Sequence, residues 1–363
     1  MVSPARLAAD PPRRAADRTA GRSPGRTVGR AADRLVAPAP AARLGVLRLL
    51  VGGYATVYLL VRLPHLWSET RLPDYRWQPV GILGPAASPP PSLLVATCLG
   101  LALAGGIGFT LGWRWRLTGP LFGLAALASF SFGHSRGHIL HTEHLHALHL
   151  LVLALAPAAD ACSLDARARA AATAGPPAGE PSGAGQPMNG TWAGRYGFPV
   201  RIVSLVTVLT YVLAGWMKLR NGGWAWLSGD VLRNQVAFDN LRKVVLGDRW
   251  SHLGAWLVAA NWFWRPVALA TLVVELGAPV ALLGGRWRNA WVAAAWSFHL
   301  GTLLLMAIMF PYPLSGVAYA SLFPLERLAR AGERARPRAR VGRDRRPGAQ
   351  RRRRLGSATA AGT

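Results

Sequence analysis

Cysteine, lysine and charge are what this 363-residue chain has least of. Its two cysteines, Cys98 inside one apolar run and Cys162 just past the end of another, exclude a disulfide framework and a thiolate zinc cluster. Both thiols are left to structural roles. Charged residues make up 16% of the chain against 51% apolar ones, a balance that excludes an ordinary soluble core. No internal repeat and no second folded unit stand out, so one domain accounts for the ordered chain. The first apolar run has no small-residue cleavage site behind it, which makes it a retained span rather than a removed signal peptide.

Apolar runs recur at the length a helix needs to cross a bilayer, roughly 20 residues for about 30 Å of hydrocarbon. They predict spans over 44–63, 92–112, 117–133, 138–159, 198–219, 266–284 and 289–310, with a shorter eighth over 313–325. Exposed loops and sheet edges cannot sit in hydrocarbon. The fold class expected is therefore all-α, a polytopic helical membrane protein with about eight transmembrane helices.

The formal charge of +26 is concentrated at the ends. Residues 1–43 hold nine arginines against three acids, and residues 327–363 hold thirteen against two. Neither end has the aromatic and branched residues that build a core, so 1–43 and 326–363 are expected to be disordered basic tails. A flexible Gly, Pro, Ala and Ser-rich linker is expected over 170–190, inside a transmembrane domain spanning 44–325. Beside spans, arginine marks the cytoplasmic side and touches anionic lipid, and no nucleic-acid motif accompanies it. With both termini in the cytoplasm, Arg114, Arg116, Arg167, Arg169, Arg195, Arg286 and Arg288 also fall inside. The long 220–265 connection then lies outside, although it carries Arg233, Arg242, Lys243 and Arg249.

Ionisable groups occur in or near the spans at four places, where a charge costs on the order of 3 kcal/mol. These are the stretch GHILHTEHLHALHL from Gly137, Lys218, Glu275 and His299. On a continuous helix His134, His138, His141 and His149 share an arc of roughly 80°, with His144 further round and His146 pointing elsewhere. With Glu143 they form a polar helix start, a metal box or a cavity wall. Membrane di-iron oxygenases need histidine boxes on several segments, and here only His299 lies on another span. Metal is the minority reading, and no metal ligand is assigned.

Lys218 is one of two lysines beside 40 arginines. Arginine stays charged, whereas a lysine withdrawn from water can lose its proton and act as a base. The plainer alternative is a lysine snorkelling from the last turn of its helix to the interface. Glu275 and His299 sit mid-span on neighbouring helices. They either satisfy each other or tryptophan N–H groups, or line a proton path or substrate cavity together with His138 and His141.

Three stretches carry a resemblance: HTEHLHALHLLVLALAPAADACSLDA from His141, YVLAGWMKLRNGGWAWLSGDVL from Tyr211, and SFHLGTLLLMAIMFPYPLSG from Ser297. They resemble the membrane domain of vitamin K-dependent gamma-glutamyl carboxylases and their bacterial relatives, the horizontally transferred transmembrane (HTTM) family. The A-G-x-x-K-L core of the second stretch implies Lys218 as catalytic base. The first implies His144 as the histidine that stabilises an oxygenated quinone, and the third contains His299. The resemblance implies a quinol- and O2-dependent oxidase or carboxylase in a bacterial cell membrane. It would act near the outer face with vitamin K hydroquinone or menaquinol as cofactor. The carboxylases have paired lysines where this chain has Met217 and Lys218, and nothing past Leu325 resembles their large extramembrane domain, so a protein substrate is not expected. The alternatives are a non-catalytic membrane protein, such as a transporter or assembly partner, and a metal-dependent membrane oxygenase.

Overall fold

The computed structural model describes residues 35–137, 139, 141–173 and 190–335. Most of both expected tails, most of the expected linker, His138 and the side chain of His141 lie outside the described residues. The described chain is mostly helical, with one two-stranded pairing. In order its helices are α1 (Ala41–Ser68), α2 (Ser92–Leu111), α3 (Trp115–His134), α4 (His141–Leu155), α5 (Leu164–Thr173) and α6 (Gly194–Leu227). There follow α7 (Asp230–Val245), α8 (His252–Leu257), α9 (Asn261–Leu276), α10 (Gly285–Met306), α11 (Pro311–Leu314) and α12 (Glu326–Ala335).

Three helices are long and apolar enough to cross a membrane: α1 with its continuation to Arg71, α2, and α6. α3, α4, α9 and α10 fall on further expected spans but are shorter or more polar. The expected span over 266–284 is broken, because α9 stops at Leu276 and a 3-10 segment, Ala278–Leu283, follows. The expected eighth is broken as well. Two prolines begin the four-residue α11, and Gly316 at φ +78° then turns the chain into a 3-10 segment, Val317–Leu322.

α1 runs through the centre of the bundle. Its Leu44, Leu47, Val51, Ala55 and Leu59 recur at helical spacing, and all are buried against α2, α3, α4 and α6. α2 and α3 approach closely because α2 offers glycines: a Cβ at Gly105 would meet the Phe122 backbone at 3.3 Å. At one end of the bundle the buried Arg48 donates to Phe109 O at 2.9 Å and Cys162 O at 2.6 Å. That guanidinium ties the C-terminus of α2 to the turn after α4. Asp165 caps α3 beside it, accepting from Arg114 N at 2.8 Å and Trp115 N at 2.9 Å.

Short segments on the tail side of both expected boundaries join the bundle. Ala39–Pro40 pairs antiparallel with Trp192–Ala193. α12 docks on α1 through a bidentate pair in which the Arg43 guanidinium donates to both Glu326 oxygens at 2.7 Å. Polar contacts hold these segments, and apolar composition does not reveal them.

Three local departures position the site. The continuous helix on which the shared histidine arc rested does not form, because α3 ends at His134 and the chain turns through Gly137, at φ +83°, before α4 begins. The helical stretch that carries Lys218 breaks five residues later at Gly223 (φ 48°, ψ −130°), a conformation that glycine adopts without a Cβ penalty, and a second stretch of α6 runs on to Leu227. Finally, the 220–265 connection is largely helical, holding the end of α6, all of α7 and α8, and the start of α9.

Candidate functional site

The first site is built on the contact of α6 with α9. A Cβ at Gly215 would meet Glu275 Cβ at 2.9 Å and Leu276 at 3.0 Å, so the missing side chain sets how close the two helices come. One turn further along α6, Lys218 Nζ donates to Glu275 Oε1 at 2.6 Å. The carboxylate is buried and the lysine partly exposed. Beyond the Gly223 break the chain brings Trp226 back over the ammonium, with its ring centre 4.9 Å from Nζ, and Phe298 of α10 lies 5.1 Å away. Aromatic faces attract a cation that is withdrawn from water.

Two turns before Lys218, on the same face of α6, Tyr211 extends the polar cluster. Its hydroxyl bridges His299 Nε2 and the Tyr319 hydroxyl, each at 2.7 Å. Glu275 and His299 therefore do not satisfy each other as one expectation had it, since each has a partner on α6. Both keep unused capacity: Glu275 Oε2 and His299 Nδ1 are buried with no hydrogen-bond partner among the described residues. Leaving such a group unsatisfied costs about 1–3 kcal/mol, so each of the two can take a further polar partner.

The second site surrounds a cavity of about 300 Å³ between α3, α4 and the Val80–Gly81 corner. Its walls are mostly apolar, with Leu127, Phe130, Ile139 and Ala147, and its polar groups are Ser131, His134, Glu143 and His144. Glu143 is a buried carboxylate with several partners. Tyr58 donates to its Oε1 at 2.7 Å, His134 Nε2 sits 3.0 Å from Oε2, and Arg62 Nε lies 3.6 Å from Oε1. His144 is exposed on α4, with its ring 5.3 Å from that of His134 and nearly perpendicular to it.

His146 and His149 turn into the bundle. His146 is buried among the rings of Tyr54, Tyr58, Phe130 and Tyr312, on a different side of α4 from the cavity. His149 bridges the Tyr312 hydroxyl at 2.7 Å and Thr207 Oγ1 at 3.1 Å. Among the described residues no group of three His, Cys, Asp or Glu is placed to hold a metal ion.

Lys218, Glu275 and His299 are thus brought into one cluster, and His134, Glu143 and His144 into another. Lys218 is not on the wall of the cavity that His144 lines. Sequence reasoning missed the tyrosines that hydrogen-bond or stack on the buried groups of the two clusters and on His146 and His149. Tyr211 carried a signal, being seven residues before Lys218 and so on the same helix face. Tyr54 and Tyr58, one turn apart on α1, carried a similar one. Tyr312 and Tyr319 come from broken segments, where helical spacing has nothing to say. Comparisons with protein families, with curated proteins and with solved structures gave no match for this chain.

Proposed function

We propose that this chain is a polytopic integral membrane protein of the HTTM type in which Lys218, seated on Glu275, serves as a base toward a lipid-soluble quinol. The observation that carries this reading is the 2.6 Å Lys218–Glu275 hydrogen bond, with an unused Glu275 Oε2 and an unused His299 Nδ1 in the same cluster. Passing a proton along that bond to the carboxylate leaves a neutral amine, which is what a base must be before it accepts a proton. The Trp226 and Phe298 rings hold the amine against apolar surfaces. A flat aromatic ring carrying hydroxyls suits this donor set, since Lys218, Glu275 and His299 offer it hydrogen bonds and Trp226 and Phe298 offer it ring faces. A bound vitamin K hydroquinone or menaquinol would supply the electrons for reaction with oxygen.

In this reading α1, α2 and α6 are joined by the shorter or more polar α3, α4, α9 and α10 in the membrane, and both termini face the cytoplasm. Arg114, Arg116, Arg167 and Arg195 lie at the same end of the bundle as Arg48, as a positive cytoplasmic side requires. Lys218 carries the reading. His144 stands on the wall of the other cavity, and the stabilising role implied for it holds only if both sites act on one substrate.

A second reading rests on the same hydrogen bond. An ammonium already satisfied by a buried carboxylate is also what a structural ion pair in a non-catalytic membrane protein looks like. Full-length protein in lipid nanodiscs, supplied with menaquinol or vitamin K hydroquinone and oxygen, separates the two. Quinol consumption that disappears in Lys218→Ala supports the base. No consumption across a panel of quinols by folded protein supports the structural pair.

A further inference from the structure

The helix α7 is turned inside out. Its buried face carries Val236, Asp239, Asn240 and Lys243, three polar residues of four. Its outward face carries Phe238, Leu241 and Val245, which are 64%, 63% and 76% exposed and fall within roughly 60° of one another around the helix. A helix on the surface of a water-soluble domain shows the reverse. Leu246 just beyond it, Leu253 and Trp256 of α8, and Trp224 and Trp262 on either side extend the exposed apolar surface. Outward polar residues are confined to Asp230, Asn234 and Gln235 in the first half and Arg242, whose guanidinium folds back to Asp239 Oδ1 at 3.0 Å.

The buried polar face has a specific task. The last carbonyls of a helix have no partner within it, and in hydrocarbon no water replaces them. At the C-terminus of α10, Leu304 O accepts from Ser251 Oγ at 2.5 Å and Leu305 O accepts from Asn240 Nδ2 at 3.0 Å. Met306 O accepts from Lys243 Nζ, which also lies 2.8 Å from Asp239 Oδ2. Asn240 Oδ1 in turn accepts from Ser251 N at 2.7 Å. Three side chains of the 230–251 segment thus satisfy three consecutive carbonyls, an arrangement that a helix ending in water does not need.

Given a chain that spans the bilayer as proposed above, we infer that the α7–α8 segment is embedded in the lipid interface. The second half of α7, from Phe238 to Leu246, contacts acyl chains, and tryptophans 224, 256 and 262 sit at the headgroup level. The occupant of the apolar face is lipid, because α7 packs against α6, a helix long and apolar enough to span, whose own Leu209, Leu213 and Trp216 are likewise exposed. The 220–265 connection is then a membrane element that covers Lys218 through Trp226, in place of an aqueous outside loop.

Nitroxide labels test this on full-length protein in nanodiscs, in a Cys98→Ala, Cys162→Ala background. Labels go at Phe238→Cys, Leu241→Cys and Val245→Cys on α7, with Leu101→Cys and Ile107→Cys on α2 as lipid references and Asp74→Cys as the aqueous reference. Collision with oxygen, which concentrates in lipid, is compared with collision with a water-soluble nickel chelate. The expected result is an oxygen-to-nickel ratio at the α7 sites well above that at position 74 and approaching that on α2. Ratios at α7 matching position 74, with α2 still reading lipid, overturn the inference and leave the membrane reading standing. Low collision with both probes at α7 means protein cover, and it overturns the inference equally. Aqueous ratios on α2 as well bring down both.

Discussion

The Lys218 ammonium and the Glu275 carboxylate are joined by a 2.6 Å hydrogen bond across the α6–α9 contact, with only the lysine open to the surroundings. Removing one partner of such a pair strands the other charge. Glu275→Leu should lower stability by about 3 kcal/mol, the lower end for buried pairs because Lys218 is partly exposed. Lys218→Met together with Glu275→Leu should recover most of that loss, since two apolar residues strand nothing. Thermal unfolding of wild type, Glu275→Leu, Lys218→Met and the double variant in one detergent measures both. A double variant as unstable as the sum of the single variants contradicts the coupling.

Gly215 should resist even the smallest side chain. Alanine there must push Glu275 and Leu276 away, since its Cβ would come within 2.9 Å and 3.0 Å of them. Gly215→Ala is expected to cost about 1–3 kcal/mol through overpacking and to loosen the Lys218–Glu275 bond. Unfolding reports the first effect, and faster labelling of Lys218 by an amine-reactive reagent, read by mass spectrometry, reports the second. Unchanged labelling and stability would show that α6 and α9 are further apart than described.

The caps on α10 make a separate prediction. Asn240→Leu leaves Leu305 O and Ser251 N without their partner and should destabilise by about 2 kcal/mol, within the range for stranding buried backbone groups. Hydrogen exchange at the end of α10 and in α8 should rise selectively. A uniform change over the protein would mean that the cap does not act locally.

Glu326 supplies a pH dependence. Burial raises its pKa, but hydrogen bonds from Arg43 and the charges of Arg43 and Arg330 outweigh burial, so the carboxyl titrates below its ordinary 4.5. A depressed folded pKa means the stabilisation is fully present above 4.5 and lost as pH falls through the lower folded value. Docking of α12 on α1 should therefore weaken in that acidic window, read by proteolysis near Arg327 across pH. Glu326→Gln should be equally cleavable above and below the window, and persistence of the wild-type pH step in that variant would assign it to another group.

Much of the fold was legible because apolar runs dominate the chain: α1, α2 and α6 lie on three of the expected spans. What composition could not show was where those runs break. Pro311, Pro313 and Gly316 stop a continuous eighth helix, and Gly137 separates His134 from the histidines that helical spacing had put beside it. The α7–α8 segment was unreadable for a different reason. Its charges look aqueous in sequence, and only packing reveals that Lys243 and Asn240 point inward onto the carbonyls of α10. At the site, Lys218, Glu275 and His299 were singled out individually. Their grouping depends on Gly215 and on Tyr211, which spacing offered but charge and rarity did not highlight.

The most direct measurement of the central claim is quinol oxidation by Lys218→Arg in nanodiscs, beside wild type and Lys218→Ala. Arginine preserves the positive charge and the pair with Glu275 but does not become a neutral base near physiological pH. If Lys218 is the base, Lys218→Arg should fold with near wild-type stability and consume menaquinol or vitamin K hydroquinone no faster than Lys218→Ala. Turnover by Lys218→Arg at the wild-type rate would contradict it, leaving Lys218 a structural cation.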